Sequence, residues 1–369
     1  MAERIRLGVL FGGRSGEHEV SLMSARSILS VLDAQKYEVI QIGITHDGAW
    51  FGGSDVIGAL EQGTTAGLTP VVLLPEPDHN RLYARQNGSI SPFADLDVIF
   101  PILHGTGGED GALQGLLEMA GIAYVGSGVL ASSVGMDKAL FKDVMRAHGL
   151  PVVPSLLLTR RQIEENLSAA VEACEDMADY PLFTKPANLG SSVGISKCTD
   201  RAELISGLRE AARYDRRVLV EQGIQSPIEI EASVLGNDRL VCSLPGEVRP
   251  NADFYSYEAK YFDDSTQLFV PADLPAEIIK QIRRLAIQAC HAVDCAGMAR
   301  VDFLIEPNEY TIYIGEINTI PGFTRISMYP KLWEASGLPY ATLIDRLIEL
   351  ALERKAEQDH TERRFGRNA

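Results

Sequence analysis

The sequence predicts an α/β protein of two or three domains whose first domain is built on an open parallel sheet. Three observations carry that expectation. The chain has 369 residues, and domains commonly span roughly 100–200 residues. Short apolar runs alternate with helix-length segments, the pattern of parallel strands joined by crossover helices. Glycine-rich turns at residues 12–16 and 104–111 directly follow apolar runs, where a strand hands over to a helix.

Residues 5–11 read as a buried strand, Gly12-Gly13-Arg14-Ser15-Gly16 as a loop and residues 19–32 as a helix. Residues 37–44 and 97–102 are further strands; the second runs into His104-Gly105 and a helix over 111–120, and residues 124–128 close this region. A second region opens with a helix over 132–147 and continues through 151–158, a helix over 161–177, a strand at 182–185, a glycine-rich loop, a helix over 201–213 and a strand at 218–221. The third holds a strand at 229–235, a long loop rich in Tyr and Asp at 253–267, a helix over 275–293 and a hairpin; the charged segment 353–369 is expected to fray. The long loop is expected to close over bound substrate. The regions divide the chain into residues 1–126, 127–223 and 224–369.

Bulk composition excludes several functions. Fifty acidic residues against 34 basic ones give a net charge of −16, which argues against nucleic-acid or anionic-membrane partners but not against a nucleotide held by a few local cations. Cys174, Cys198, Cys242, Cys290 and Cys295 are scattered without a CxxC pair. They suggest neither a zinc site nor a disulfide framework, and fit a reducing cytoplasm. The apolar run at residues 7–11 is too short for a signal-peptide core, and no stretch reaches membrane-span length.

The chemistry concentrates in a few motifs. Ala299-Arg300-Val301-Asp302-Phe303 and Glu316-Ile317-Asn318 read as two arms of a β-hairpin, turning at Glu306-Pro307-Asn308-Glu309. Side chains alternate along a strand, so Arg300 and Asp302 share a face, as do Glu316 and Asn318. Asp302, Glu316 and Asn318 would then form an oxygen-only cluster of the kind Mg²⁺ prefers; the plain alternative is a polar strand face in water. Lys185 ends a strand and Pro186-Ala187-Asn188-Leu189-Gly190-Ser191-Ser192-Val193-Gly194 follows. Small residues there let backbone N–H groups approach phosphate oxygens beside a lysine charge. The alternative is a flexible turn, and the sequence is not a Walker A loop. Lys138 alone would be a surface lysine. Glu221, with Gln222-Gly223-Ile224 after it, could serve as a hinge for an adenine amino group, and Glu229 could accept from a ribose. The turn at residues 104–111 suits an anion, although Asp110 could equally be a plain helix cap. Residues 12–19 lack the G-x-G-x-x-G spacing, which disfavours an NAD-dependent oxidoreductase.

The hairpin spacing, with Pro321-Gly322 just beyond it, resembles the metal-binding strands of the ATP-grasp ligases. Together with residues 12–21 and 104–111, Met136-Asp137-Lys138, residues 185–194 and Lys260-Tyr261, in this order, it resembles the D-alanine–D-alanine ligases over roughly residues 5–350. These are cytoplasmic bacterial enzymes of peptidoglycan-precursor synthesis. The resemblance implies three α/β domains of the ATP-grasp fold, the N-terminal one carrying an open parallel, Rossmann-like sheet, with ATP between the other two. It implies attack of one D-alanine carboxylate on the γ-phosphate, giving an acyl phosphate that the amine of a second D-alanine opens. It assigns Mg²⁺, or Mn²⁺ in its place, to Asp302, Glu316 and Asn318, and ATP to Lys138, Lys185, Gly190, Ser192, Val193, Glu221, Ile224 and Glu229. Arg300 and the Gly322 N–H become the oxyanion donors. Glu17 takes the first substrate's ammonium, in a network with Ser191 and Tyr261. His104 and Lys260 lie beside the substrates, and Ser327 with Met328 takes the second carboxylate. A homodimer is implied too. The nucleotide loop reads Asn-Leu-Gly-Ser-Ser where some members have Arg-Glu-Gly-Ser-Ser. Two rivals remain: a D-alanine–D-lactate ligase, several of which carry Phe where this chain has Tyr261, and a non-catalytic nucleotide sensor.

Overall fold

The computed structural model of the chain describes residues 4–77, 79–190, 193–249 and 267–362. Eight strands form the first sheet: β1 (Ile5–Gly12), β2 (Tyr37–Ile44), β3 (Trp50–Gly53), β4 (Thr69–Leu73), β5 (Arg81–Gln86), β6 (Ser89–Asp95), β7 (Val98–Ile102) and β8 (Ala123–Tyr124). Their order is β6-β5-β4-β3-β2-β1-β7-β8. The half from β2 to β8 is parallel, as expected, with α1 (His18–Leu29), α2 (Val56–Glu61) and α3 (Ala112–Met119) in its connections. The half from β3 to β6 adds antiparallel hairpins that the sequence reading did not list.

The second region runs α4 (Val129–Met136), α5 (Lys138–Ala147), β9 (Ser155–Thr159), α6 (Arg160–Glu165), α7 (Leu167–Met177), β10 (Leu182–Pro186), β11 (Ser196–Cys198), α8 (Arg201–Tyr214) and β12 (Arg217–Gln222). Its sheet order is β11-β10-β12-β9. The helix expected over 132–147 is two helices. Asp137 adopts an extended backbone at their junction and its carboxylate accepts from the Leu140 N–H at 2.9 Å, while also pairing with Arg217. A short acidic side chain satisfies a helix N-terminus better than it sits inside a helix. Asn166 divides the helix expected over 161–177 in the same way, accepting from Ala169 N–H at 3.2 Å.

The third region holds β13 (Ile228–Gly236), β14 (Val241–Cys242), β15 (Gly246–Arg249), β16 (Gln267–Phe269), α9 (Ala276–Ala292), β17 (Gly297–Ile305), β18 (Ile312–Asn318), α10 (Met328–Ala335) and α11 (Tyr340–Asp359). The sheet runs β16-β15-β13-β17-β18, with β14 also paired to β13. Ile282, Leu285, Ala286, Ala289 and Cys290 make one buried stripe of α9, the 3–4 spacing that lays a helix on a sheet. Along β17 burial alternates. Val301, Phe303 and Ile305 enter the core, while Arg300, Asp302 and Leu304 occupy the other face. Among the described residues no helix is long and apolar enough to cross a membrane.

The expectation of fraying from Glu353 onward is overturned as far as Asp359, because α11 continues to that residue. Arg354 lies over the Tyr124 ring at 4.2 Å and donates to the Tyr124 and Gly126 carbonyls. One hydrophobic core joins the first sheet to this helix: Leu7, Phe100 and Val125 pack in the same cluster as Phe323, Tyr329 and Leu347. Arg354→Ala removes the hydrogen bonds and the ring contact together. It should cost about 1–2 kcal/mol, seen as a lower thermal midpoint with an unchanged far-ultraviolet circular dichroism spectrum. An unchanged midpoint would mean that the α11 end contributes nothing to stability.

Candidate active site

The β17–β18 hairpin sets Arg300 opposite Asn318 and Asp302 opposite Glu316, with a register shift after Asp302. Such a shift re-aims side chains locally. The Arg300 guanidinium forks onto Asp302, Nε to Oδ1 at 2.7 Å and Nη2 to Oδ2 at 2.6 Å, and its Nε also lies 3.0 Å from Glu231 Oε2. Burial acts to lower the Arg300 pKa, but Asp302 and Glu231 outweigh it and hold the proton. Asn318 Nδ2 donates to Asp302 Oδ2 at 3.1 Å. From the second region Lys138 Nζ donates to the Leu189 carbonyl at 3.0 Å and stands 3.4 Å from Glu316 Oε2. One lysine therefore ties the glycine-rich loop to the hairpin.

Two cavities meet at this face, both lined by Lys138 and Glu316. The larger, about 620 Å³, is lined by Lys185, Glu221, Ile224 and Glu229, with Phe183, Leu304 and Ile314 among its apolar contributors. That size falls in the range of small-molecule sites. The smaller, about 170 Å³, is lined by Glu17, His104, Gly190, Arg300, Gly322 and Ser327, with Met328 beside them. Of the residues assigned from sequence, Val193 is exposed and lines neither cavity. Ser191, Ser192, Lys260 and Tyr261 lie outside the described residues, as does nearly all of the loop expected to close.

The larger cavity contains a buried charge triad. Glu221 Oε1 lies 3.1 Å from Lys142 Nζ, and Oε2 lies 2.6 Å from Lys185 Nζ. Burial alone would raise the Glu221 pKa; the two ammonium groups outweigh it and push it down to about 2. The lysines respond in opposite directions. Lys142, fully enclosed, is lowered because desolvation exceeds its attraction to Glu221. Lys185 is raised, because the pull of Glu221, Glu316 and Glu229 exceeds desolvation. Sequence reasoning missed Lys142. The available signal was its position four residues after Lys138, which puts both on one face of α5.

In the smaller cavity Glu17 stands just before α1, its N–H donating to Ser15 Oγ at 3.2 Å, and Ser15 Oγ donating to the His104 carbonyl at 3.0 Å. Gly105 has φ +75°, and a Cβ there would come within 2.4 Å of Glu17 Oε2. Only glycine lets the turn approach that carboxylate. Glu109 was also missed as a site residue, although it sits in the glycine-rich turn. It accepts from Gly105 N–H at 2.6 Å, and burial, reinforced by Glu17, pushes its pKa up to about 8. Asp110 keeps the structural role, accepting from Gly107 and Ala112 N–H groups at 2.8 and 3.0 Å. His104 is buried, with Nδ1 3.1 Å from the Ile320 carbonyl and Nε2 3.3 Å from Ser24 Oγ. Burial lowers its pKa despite Glu17 nearby. Ser327 precedes α10, and its Oγ accepts from Thr324 N–H at 3.1 Å.

The fit to a divalent cation can be judged from the donors. Among the described residues no three or more His, Cys, Asp or Glu side chains converge as a metal site; the set here is two carboxylates and an amide. All three can offer hard oxygens, as Mg²⁺ requires. A carboxylate has about four lone-pair positions, so Asp302 can hold the Arg300 fork and still ligate. The residues fit the ion.

The sequence profile for the D-ala D-ala ligase N-terminus matches residues 6–127, and the profile for the C-terminus matches 144–349. A D-alanine–D-alanine ligase from Heliobacterium modesticaldum is 48% identical over 352 residues, covering 95% of this chain and 96% of its own. One from Natranaerobius thermophilus is 47% identical, covering 98% and 99%. This chain belongs to the D-alanine–D-alanine ligase family. Among solved structures, the D-alanine–D-alanine ligase of Coxiella burnetii superposes with a TM-score of 0.83 at 40% identity, covering 97% of each chain. A D-Ala:D-Ser ligase of Enterococcus faecalis gives 0.84 at 34% identity, covering 95% of this ligase and 100% of its own chain. The ligase therefore has the ATP-grasp fold of its family.

Glu221→Gln in this ligase would leave Lys142 enclosed without its anion, at a cost of about 3–5 kcal/mol at neutral pH. Such a lysine has a folded pKa below its unfolded value of ~10.4. The unfolded state then binds more protons, so the variant's stability rises with pH through that window. Urea denaturation near pH ~7 and near pH ~9.5, both below the free lysine value, should show the deficit shrinking at the higher pH. An equal deficit at both would rule out Lys142 as its source.

Proposed function

We propose that the chain joins two D-alanines into D-alanyl-D-alanine, with ATP converted to ADP and phosphate through an acyl phosphate, and that the two cavities divide the reactants. The observation that carries this reading is the single face of β17–β18 that joins the two cavities: Arg300 and Asn318 line the smaller, Asp302 lines the larger, and Glu316 lines both. On this reading ATP occupies the larger cavity, its phosphates toward Lys138, Lys185 and the loop from Gly190. The 221–224 stretch receives the adenine and Glu229 the ribose. The Glu221 carboxylate is already engaged by two lysines, so the adenine contact falls to the backbone around Ile224. Asp302, Glu316 and Asn318 hold Mg²⁺, which when bound neutralises phosphate-oxygen charge.

The first D-alanine lies in the smaller cavity with its ammonium on Glu17 and its carboxylate toward the phosphates. Arg300 and the Gly322 N–H stabilise the charge that develops on the carbonyl oxygen when the second amine attacks. Ser327 and the free N–H groups at the start of α10 take the second carboxylate, which leaves that amine unpaired and nucleophilic. Ser191 and Tyr261 complete the network around Glu17. Domains at 1–126, 127–223 and 224–369 supply these parts in turn. The enzyme acts on small molecules in the cytoplasm, as a homodimer, without nucleic-acid or membrane partners. A D-lactate nucleophile is not favoured, since the curated relatives are named for two D-alanines. A sensor would not need Arg300 beside the reacting phosphate. The deciding assay is phosphate release from ATP with D-alanine against L-alanine, with the product weighed by mass spectrometry. Release without dipeptide would sink the reading.

Glu316→Gln keeps the shape and removes one charge. Turnover should fall on the order of 10²-fold or more with Mg²⁺; near-normal turnover would defeat the ligand assignment. Lys185→Ala should weaken ATP binding far more than D-alanine binding in calorimetric titration. Equal weakening would point to a folding defect instead.

A further inference from the structure

The turn at residues 320–323, which contains Gly322, is tied at both ends to the first region of the chain. Phe323 N–H donates to Ser24 Oγ at 3.4 Å, and the Phe323 carbonyl accepts from Tyr340 Oη at 2.6 Å. Ser27, one turn along α1 from Ser24, lies 3.0 Å from Tyr340 Oη. Tyr340 has one hydroxyl proton and the carbonyl takes it, so Ser27 is the donor in that pair. At the other end His104 Nδ1 is 3.1 Å from the Ile320 carbonyl, and its Nε2 is 3.3 Å from Ser24 Oγ.

Donor and acceptor roles in this circuit are fixed. A carbonyl only accepts, so His104 Nδ1 carries a proton. On a neutral ring Nε2 then accepts, so the Ser24 hydroxyl donates to it while accepting from Phe323 N–H. The chain of donors runs from Phe323 N–H to Ser24 to His104 and on to the Ile320 carbonyl, with each role matched. An imidazolium would aim a second N–H at Ser24 Oγ and leave the hydroxyl proton without its acceptor. Ser24 is 0% and His104 4% exposed, so an unmatched role here is expensive.

We infer that Ser24 is a positioning residue for the ligation: it locks the Nδ1-protonated form of His104 and, through Ile320 and Phe323, sets where Gly322 meets the substrate cavity. This inference rests on the role proposed above for Gly322. Ser24 touches no reactant, and none of the motifs singled out in the sequence assigns it a role. Loss of its hydroxyl strips Phe323 N–H of its acceptor and frees the imidazole to change tautomer. The turn then loses definition on both sides of Gly322.

The test uses the full chain. Ser24→Ala should lower kcat about tenfold or more while the KM for ATP stays within about twofold, the split expected when a transition-state contact is misplaced and nucleotide binding is not. Ser24→Thr, which keeps the hydroxyl, should recover most of the rate. Independently, ¹⁵N spectra of the unmodified chain should show His104 protonated at Nδ1 and bare at Nε2, which needs no variant to fold. An unchanged kcat in Ser24→Ala overturns the inference, and so does an Nε2-protonated ring in the unmodified chain. Failure of the unmodified chain to join D-alanines would instead overturn the proposed reaction, and the tautomer reading would be unaffected by it.

Discussion

Asp302 and Glu316 face each other across an antiparallel ladder, where like charges directly opposite repel. Most of the architecture can be read as the answer to that repulsion. Arg300 shares a face with Asp302 and forks onto it, Asn318 donates to the same carboxylate, and Lys138 reaches Glu316 from the start of α5 in the second region. Each compensating group brings an element with it. Arg300 draws Glu231 on β13, and Lys138 draws the Leu189 carbonyl and hence the glycine-rich loop. The cavities meet where these elements converge, so the constraint that fixes the fold locally also decides where charged reactants can lie.

The second charged cluster follows other rules. Glu221 sits between two lysines, and their pKa values move apart because desolvation dominates at Lys142 while Glu316 and Glu229 add to the pull of Glu221 on Lys185. A fixed carboxylate there keeps Lys185 charged and in place before any phosphate arrives. In the smaller cavity the opposite arrangement holds. Burial, reinforced by Glu17 close by, lets Glu109 retain its proton to an unusually high pH. Lys185 in the larger cavity is thus prepared for an anion, and Glu17 in the smaller for a cation, before either cavity is occupied.

The sequence was most legible where chemistry and periodicity coincided. The hairpin, the Lys185 strand and the parallel half of the first sheet could be read because alternation fixed which side chains shared a face. Helix breaks at Asp137 and Asn166 were missed because periodicity continues through them, although both residues are natural caps. Strands β5 and β6 were missed despite an Asn87-Gly88 turn with positive φ at both residues, a strong hairpin signal set among polar, exposed flanks that hid the alternation. Lys142, Glu109 and Ser24 were missed for a different reason. Each acts through a partner distant in the chain, Glu221, Glu17 and Phe323 respectively, and local spacing can place such a residue on a face without naming its partner.

The core that joins β1 and β7 to α11 has a consequence for how the protein is made. A ribosome delivers the first sheet long before it delivers residues 340–359, so the emerging N-terminal segment cannot complete its apolar packing until α11 has followed it out. Until then the sheet face that α11 will cover is open to chaperones, and a chain cut before α11 would leave that face uncovered even though every residue of the first sheet has been translated.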